Sequence, residues 1–522
     1  MRSHTRNSVL VLLVTLLAST SLGFLELVYG HDISDDELVA GDTGEETLDE
    51  RADRQVSLFF SEVIDLRNGS AFGSESPLVN DSSSRVRTPV HEYEDVIYVS
   101  PSGHRDRRYS RGFLANPFTT IQAAVDSARD NETIILRRDI YAGPGNRDIV
   151  IGSKTVHIES EDLEYPVNIE TIRNTVIDCG GSISDPHRAF FFSQGSKSQS
   201  TISGITIRGG NHTTGGAVYC HSNNSPEFKH CIFTENDAEQ GGAVMCKNSS
   251  PSFFDCVFIN NSASEYGGAL LPFDGSEINV EYCYFRNNIS DVVGGAICML
   301  ESASKIINSI FYSNVAKIHG GAIYSEGDFT TSWGVFGCSF AANRATTGYG
   351  GGILNWDSNP AILNCTLVNN ISRYRGAGIA NDGRSKPQVS NSILWGNFNV
   401  TNDNSTSYQQ MSEGNPDVQF CCIMDNHPND SFIPYGKSSQ NIDDDPKFRA
   451  LPDDGGDGWG DDLSTNYKDE SENDNPGDLR LTASSPCIGR GSNEIISQVL
   501  TTDFYGTARI KGARVDIGAY EY

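Results

Sequence analysis

The chain has 522 residues, 68 acidic against 39 basic, and a formal charge of −29. That balance argues against a nucleic-acid partner or an anionic membrane surface, both of which need clustered Lys and Arg. The length admits two or three ordinary domains or one long solenoid.

Residues 1–30 read as an export signal: Arg2 and Arg6 precede a short apolar run from Ser8 to Leu17, and cleavage is expected after Gly23 or Gly30. The run is short for a membrane span, and no later segment is long and apolar enough to cross a bilayer as a helix. Residues 31–93 form an acidic leader with weak pattern, in which Gln55 to Leu66 has the spacing of one short helix. Order is expected from Val96-Ile97-Tyr98-Val99, a strand pattern closed by Ser100-Pro101-Ser102-Gly103. Ile121, Ala124, Val125 and Ala128 then share one helical face. Short strands are expected at Thr133–Leu136, Asp148–Ile151, Thr155–Glu159 and Thr175–Asp178. Such a helix can cover the first coil of a solenoid, whose end is otherwise an open edge.

From there the sequence repeats at about 26 residues. Gly-Gly-Ala stands at Gly215-Gly216-Ala217, Gly241-Gly242-Ala243, Gly267-Gly268-Ala269, Gly294-Gly295-Ala296 and Gly320-Gly321-Ala322, with degenerate copies at Gly351-Gly352-Ile353 and Ala377-Gly378-Ile379. Between them recurs Cys-x-Phe-x-x-Asn, at Cys231/Phe233/Asn236, Cys256/Phe258/Asn261, Cys283/Phe285/Asn288 and Cys338/Phe340/Asn343, with one member replaced by Ser or Leu at Ser309/Phe311/Asn314 and Cys365/Leu367/Asn370 and two at Ser392/Leu394/Asn397. Alternation along a strand sends the Cys and Phe inward. Asn lies just past the strand, where its amide can bond the turn and the Asn of the next coil. The glycines mark a tight corner. A leucine-rich horseshoe shares the period, but its Leu-x-x-Leu-x-Leu framework is missing.

One cysteine slot per coil reads as a stack of small buried hydrophobes, with Cys220 and Cys246 in a second slot. Cys421, Cys422 and Cys487 lie outside the repeat and are the better disulfide candidates. No Cys-x-x-Cys pair suggests zinc. Residues 401–522 are expected to hold acidic loops and then final coils with a C-terminal cap. Asp453, Asp454, Asp457, Asp461 and Asp462 offer oxygen ligands for calcium, but the spacing is not that of an EF-hand, and a solvated acidic loop is the competing reading.

The pairing in Gly294-Gly295-Ala296-Ile297, Gly320-Gly321-Ala322-Ile323 and Phe311-Tyr312-Ser313-Asn314 resembles the repeats of chlamydial-type polymorphic outer membrane proteins. Residues 94–522 as a whole resemble the right-handed parallel β-helix, or pectate-lyase-like, superfamily. The tail pieces Asn441-Ile442-Asp443-Asp444-Asp445-Pro446-Lys447-Phe448, Ser485-Pro486-Cys487-Ile488 and Asp516-Ile517-Gly518-Ala519-Tyr520-Glu521 resemble the choice-of-anchor endings of secreted bacterial β-helix proteins. The resemblance implies an all-β parallel β-helix with an N-terminal helical cap, over residues 94–400. It also implies surface display and adhesion. The outer membrane proteins end in a membrane β-barrel, for which no room is expected after residue 400, so barrel anchoring is not implied.

Three functional readings follow. The first is a secreted or surface-associated monomer that binds a glycan, a matrix or another cell without catalysis; Tyr266, Tyr349, Trp356 and Tyr374 near the Gly-Gly corners are the candidates to stack on sugar rings, with packing as their competing role. The second is a polysaccharide lyase or glycoside hydrolase, since the fold hosts both. A hydrolase needs carboxylates at a fixed separation, and a lyase needs calcium-binding acids and a basic Arg or Lys to take the α-proton; Asp255, Glu281, Asp291, Arg286, Lys305, Lys317 and Arg344 are candidates by location alone. The third is a structural envelope or matrix component. No cofactor is implied beyond calcium.

Overall fold

The computed structural model describes residues 96–522 except 104–111, 113, 162, 164–166, 194–198, 328–332, 402–406, 413, 425–439, 454–474 and 497–499. The expected signal, leader and helix at 55–66 lie outside the described residues. All described residues belong to one compact unit.

A full coil of the chain contributes one strand to each of four parallel sheets, which hold twelve, eleven, eight and ten strands because the terminal coils are incomplete. One coil shows the path. Val218–His221 lies in the ten-strand sheet, Glu227–Lys229 in the twelve-strand sheet, Ile232–Thr234 in the eleven-strand sheet and Asp237–Gln240 in the eight-strand sheet. The Gly241-Gly242 corner then returns the chain to Val244–Lys247, paired in parallel register with Val218–His221. This is the right-handed parallel β-helix expected from the repeat.

The core is built from identical residues stacked along the axis. Phe233, Phe258, Phe285, Phe311 and Phe340 stack face to face at centroid separations of 4.7–4.8 Å and tilts of 5° or less. That spacing equals the strand separation, so each ring rides on the ring of the previous coil. Beside them run the cysteines. Each Sγ donates to a carbonyl of its own coil and one of the preceding coil, as Cys256 does to Phe254 at 3.4 Å and Phe228 at 3.4 Å. Ser309 and Ser392 occupy the same slot; each hydroxyl donates to a carbonyl of its own coil, Ile307 or Ser390, and accepts from the backbone N of the cysteine one coil back, Cys283 or Cys365. Cys421 belongs to this stack as well, with bonds to Gln419 and Val389, so it is not the disulfide candidate its position outside the repeat implied. All twelve cysteines are free and buried, and Cys422 and Cys487 sit in one small cluster with Ile393, Leu481 and Ile517.

The glycine corners answer to two separate demands. The first glycine has a left-handed φ, between 58° and 69° at Gly215, Gly241, Gly267, Gly294 and Gly320. The second has ordinary φ but no space: a Cβ on Gly268 would stand 2.1 Å from the carbonyl oxygen of Gly295, one coil on. Register corrects the degenerate copies by one residue. Ile323 pairs with Ile353 and Ile353 with Ile379, so the sixth and seventh corners are Gly350-Gly351-Gly352 and Gly376-Ala377-Gly378.

The N-terminal end is capped as expected. Helix α1 (Ile121–Ser127) buries Ile121, Ala124 and Val125. Gln122 closes the open edge of the ten-strand sheet, its Oε1 accepting from Val150 N at 2.8 Å and its Nε2 donating to Val150 O at 3.4 Å. Lys154 Nζ donates to the carbonyls of Val125, Asp126 and Ala128 at the helix C-terminus, where a cation is favoured. The expected strands are present within a residue or two; Asp139–Ala142 and the short helix α2 (Ile169–Arg173) carried too little pattern to be seen.

The C-terminal part departs from expectation. Coils continue past residue 400, with Met411–Ser412, Asp417–Gln419 and Cys422–Ile423 each joining a sheet. The last forty residues are not further coils. After an antiparallel pair, Phe448–Ala450 with Asp478–Leu481, the chain runs back as a strap over the outer face of the eleven-strand sheet. Thr502 meets Tyr282 at 2.9 Å and Asn308 at 3.0 Å, and Ala519 N donates to Thr366 Oγ1 at 2.9 Å. Ile232, Val257, Tyr284, Tyr312 and Val368 point outward from that sheet, and the strap covers this cluster with Leu479, Phe504, Ala519 and Tyr520. Outward apolar residues need such a cover, and a further coil would not reach them.

Candidate functional site

The Gly-Gly corner joins the eight-strand and ten-strand sheets, and an apolar seam follows it along the outside of the coils. Its floor is the second residue of each ten-strand segment: Met245, Leu271, Cys298, Tyr324, Leu354 and Ala380. These point away from the core because their neighbours, such as Ile297 and Met299, point into it. One edge is the residue just before each corner. Tyr266, Val293 and His319 follow one another there in parallel bridges, and Tyr349 continues the row by accepting from Gly320 N. The other edge is the fourth residue of each ten-strand segment, in the order His221, Lys247, Phe273, Leu300, Glu326, Trp356, Asp382.

The four aromatic residues singled out in the sequence therefore come together on one seam. Tyr266 and Tyr349 pack partly into it. Tyr374 is 41% exposed and lies 5.3 Å from the Tyr349 ring; Trp356, 36% exposed, stands on the opposite edge. His319 stacks on Tyr349 at 5.5 Å, and its Nδ1 accepts from Tyr349 N. Burial pulls this imidazole down to about 4, so it is a neutral group at physiological pH. Burial likewise pushes the Tyr266 phenol up to about 12, helped by Glu265. Glu326 accepts from the Tyr324 hydroxyl at 2.8 Å, and its carboxyl is held above the usual range, mainly by desolvation. Sequence reasoning missed Tyr324, Glu326 and Asp382. Their signal was available, since every second residue after a Gly-Gly-Ala corner faces outward.

The seam changes character along its length. At its N-terminal end Arg188 lies over Phe191 and Tyr219 at 5.8 and 5.3 Å, near His221 and Lys247; at its other end stand Glu301, Glu326, Asp357 and Asp382. Arg384 lies 3.5 Å from Asp357.

The groups considered for a lyase or hydrolase do not converge. Arg286 lies over Tyr312 at 5.2 Å, on the face of the eleven-strand sheet, whereas Lys305 is in the twelve-strand sheet and Arg344 in the eight-strand sheet. Lys317 and Asp291 follow strands of the eight-strand sheet, Glu281 ends a strand of the twelve-strand sheet, and Asp255 pairs with His230 at 3.0 Å. Of the calcium candidates, Asp453 is exposed and forms an antiparallel bridge with Asn475, while Asp454, Asp457, Asp461 and Asp462 lie outside the described residues. Among the described residues no group of three or more His, Cys, Asp or Glu is placed to hold a metal ion.

The family model of the Chlamydia polymorphic membrane protein repeat matches residues 255–271 and 308–326. The chain carries polymorphic-membrane-protein-type repeats. Each matched segment starts at a left-handed corner residue, Asp255 or Asn308, and includes the stacked Phe and the ladder Asn. It then turns the Gly-Gly-Ala corner into a strand of the ten-strand sheet, so the repeat is the part of a coil that borders the seam. No curated protein matches the sequence. Similar solved structures include the crystal structure of pectate lyase Pel9A, at 14% identity over 82% of this chain and 96% of that one, with a TM-score of 0.41. Geobacillus virus E2 ORF18 is similar at 11% identity over 63% of this chain and 61% of that one, with a TM-score of 0.39. XylC, solved in complex with xylose, is similar at 10% identity over 69% and 88%, with a TM-score of 0.34. Among the described residues no helix is long and apolar enough to cross a membrane.

Proposed function

We propose that this protein is secreted or displayed at the cell surface, and that it binds a glycan of a matrix or of another cell along the seam without cleaving it. The observation that carries the reading is the row of aromatic side chains on the two edges of one continuous seam, with Tyr374 and Trp356 exposed on opposite sides. Exposed aromatic rings on a rigid scaffold suit sugar stacking, and a repeating edge suits many weak contacts made together. The polymorphic-membrane-protein-type repeats support surface display or secretion. The dispersal of the candidate acids and cations over several sheets supports binding rather than cleavage.

The test is incubation of the purified chain, with calcium present, with neutral and acidic polysaccharides. Soluble products are read by mass spectrometry, and retention is read on immobilised polysaccharide. Retention without products is the expected result. Shortened or unsaturated oligosaccharides would establish a lyase or hydrolase instead. Neither products nor retention would leave a structural or protein-binding role.

A further inference from the structure

We infer that Trp356, with Glu326 and Asp382 on either side of it, forms a subsite for an ammonium-bearing sugar ring, so that the glycan is a polycationic amino-glycan. This rests on the glycan reading above and names its chemistry. The three residues occupy one row: Glu326 pairs with Trp356, and Trp356 with Asp382, on three successive coils. Strand separation puts the two acidic residues roughly 9.5 Å apart, with the indole between them. The indole is 36% exposed on its edge of the seam.

Three features select the ligand. Indole is the best aromatic partner for a cation, through its ring quadrupole. Glu326 accepts from the Tyr324 hydroxyl through one oxygen, Oε2, at 2.8 Å, which fixes the carboxylate. Asp382 uses Oδ1 to accept from Gly383 N at 2.6 Å, which fixes the second carboxylate in the same way. Glu301 and Asp357, each one position past the row, add to the negative field, and Arg384 beside Asp357 offsets it in part. A uronate or a sulfated sugar would bring a like charge into this field and be repelled. A primary ammonium on a ring stacked over the indole meets carboxylates on both sides. Both supports are backbone-fixed by parallel register, so the subsite is preorganised and loses little entropy on binding.

The test uses the full chain and three probes in calorimetry at physiological ionic strength: the glucosamine hexamer, its N-acetylated counterpart and an oligogalacturonate. The glucosamine hexamer is expected to bind about tenfold tighter than the acetylated one, with no binding of the galacturonate. Trp356→Ala removes an exposed ring and leaves the net charge unchanged. It is expected to abolish most of that preference while the far-UV spectrum stays the same. Glu326→Gln combined with Asp382→Asn is expected to do likewise. If the preference survives Trp356→Ala, the attraction is only that of a polyanion for a polycation and the subsite is wrong. Equal affinity for the two hexamers, or binding of the galacturonate alone, overturns the subsite and leaves the glycan reading standing. No binding of any glycan overturns both.

Discussion

The side-chain amide of Asn288 donates to Oδ1 of Asn314, one coil further on, at 2.9 Å. Its other proton goes to the carbonyl of Phe258, one coil back, at 2.9 Å, and its own Oδ1 accepts from both the backbone N and Nδ2 of Asn261. Every hydrogen-bonding site of the buried amide is thus used. The ladder runs from Asn236 through Asn261, Asn288, Asn314, Asn343, Asn370 and Asn397 and ends on Gln410, which accepts from Asn397 at 2.7 Å. No single coil could satisfy any of these amides alone.

Asn288→Ala should therefore destabilise the protein by about 3 kcal/mol or more, because it strands buried partners on two neighbouring coils. Urea unfolding followed by circular dichroism reads this. Asn288→Asp should be nearly as damaging near neutral pH, since a carboxylate cannot donate to Phe258 O. A loss below 1 kcal/mol for both would mean that the ladder is incidental to stability.

The second corner glycine makes a sharper comparison. Gly268→Ala would place a methyl group 2.1 Å from Gly295 O and 2.5 Å from Ile289 O, both backbone atoms that cannot step aside. A loss of about 3 kcal/mol is expected. Gly152→Ala meets nothing within 4 Å and has no left-handed φ, so it should be neutral or slightly stabilising. Melting temperatures of the two variants, measured side by side, would refute the close-approach explanation if they fell equally.

A pH dependence is built into the strap. Arg509 is buried beside Glu521 at 3.3 Å, and Asp503 and Asp516 accept backbone bonds in the same strap, Asp503 from Glu521 N and Thr507 N and Asp516 from Tyr522 N. Desolvation pushes Glu521 up to about 8. Below the unfolded value, near 4.5, both states hold the proton and pH has no effect through this group. Between there and about 8 the folded state keeps a proton that the unfolded state releases, so stability falls as pH rises. Glu521→Gln keeps an acceptor for Arg509 and removes the titration. Its stability should fall less than wild type between pH 5 and pH 8; parallel curves for the two proteins would rule the mechanism out.

The buried thiols, in the core stack and under the seam, should be inert. Burial pushes Cys256, Cys298 and Cys338 well above the ordinary thiol range, so almost no thiolate exists at neutral pH. Alkylation by iodoacetamide, followed by mass spectrometry, should modify none of the twelve cysteines in native buffer and all of them in guanidinium. Rapid labelling of the native stack would contradict the burial described.

The coil and its period were legible because the same residues return at the same phase. Phe233, Phe258 and Phe285 each announce a core position, and repetition turns three weak signals into one strong one. At the sixth corner Gly350-Gly351-Gly352 offers two alignments one residue apart, and only the pairing of Ile353 with Ile323 chooses between them; the seventh follows from the pairing of Ile379 with Ile353. Cys421 was misplaced for a related reason, since the strand that carries it follows an irregular stretch.

The sequence by itself determined the parallel coil, its helical cap and the inward stacks of Phe, Cys and Asn, because these depend on local alternation and on a step of about 26 residues. Only the tertiary structure decided that Tyr266, Tyr349, Trp356 and Tyr374 border a single seam, since Trp356 lies at a different phase of the repeat from Tyr266 and Tyr349, and the two rows meet only where the Gly-Gly corner joins two sheets. It also decided that the tail is a strap. Thr502 reaches Tyr282 across 220 positions of sequence, and no periodicity encodes a contact of that separation.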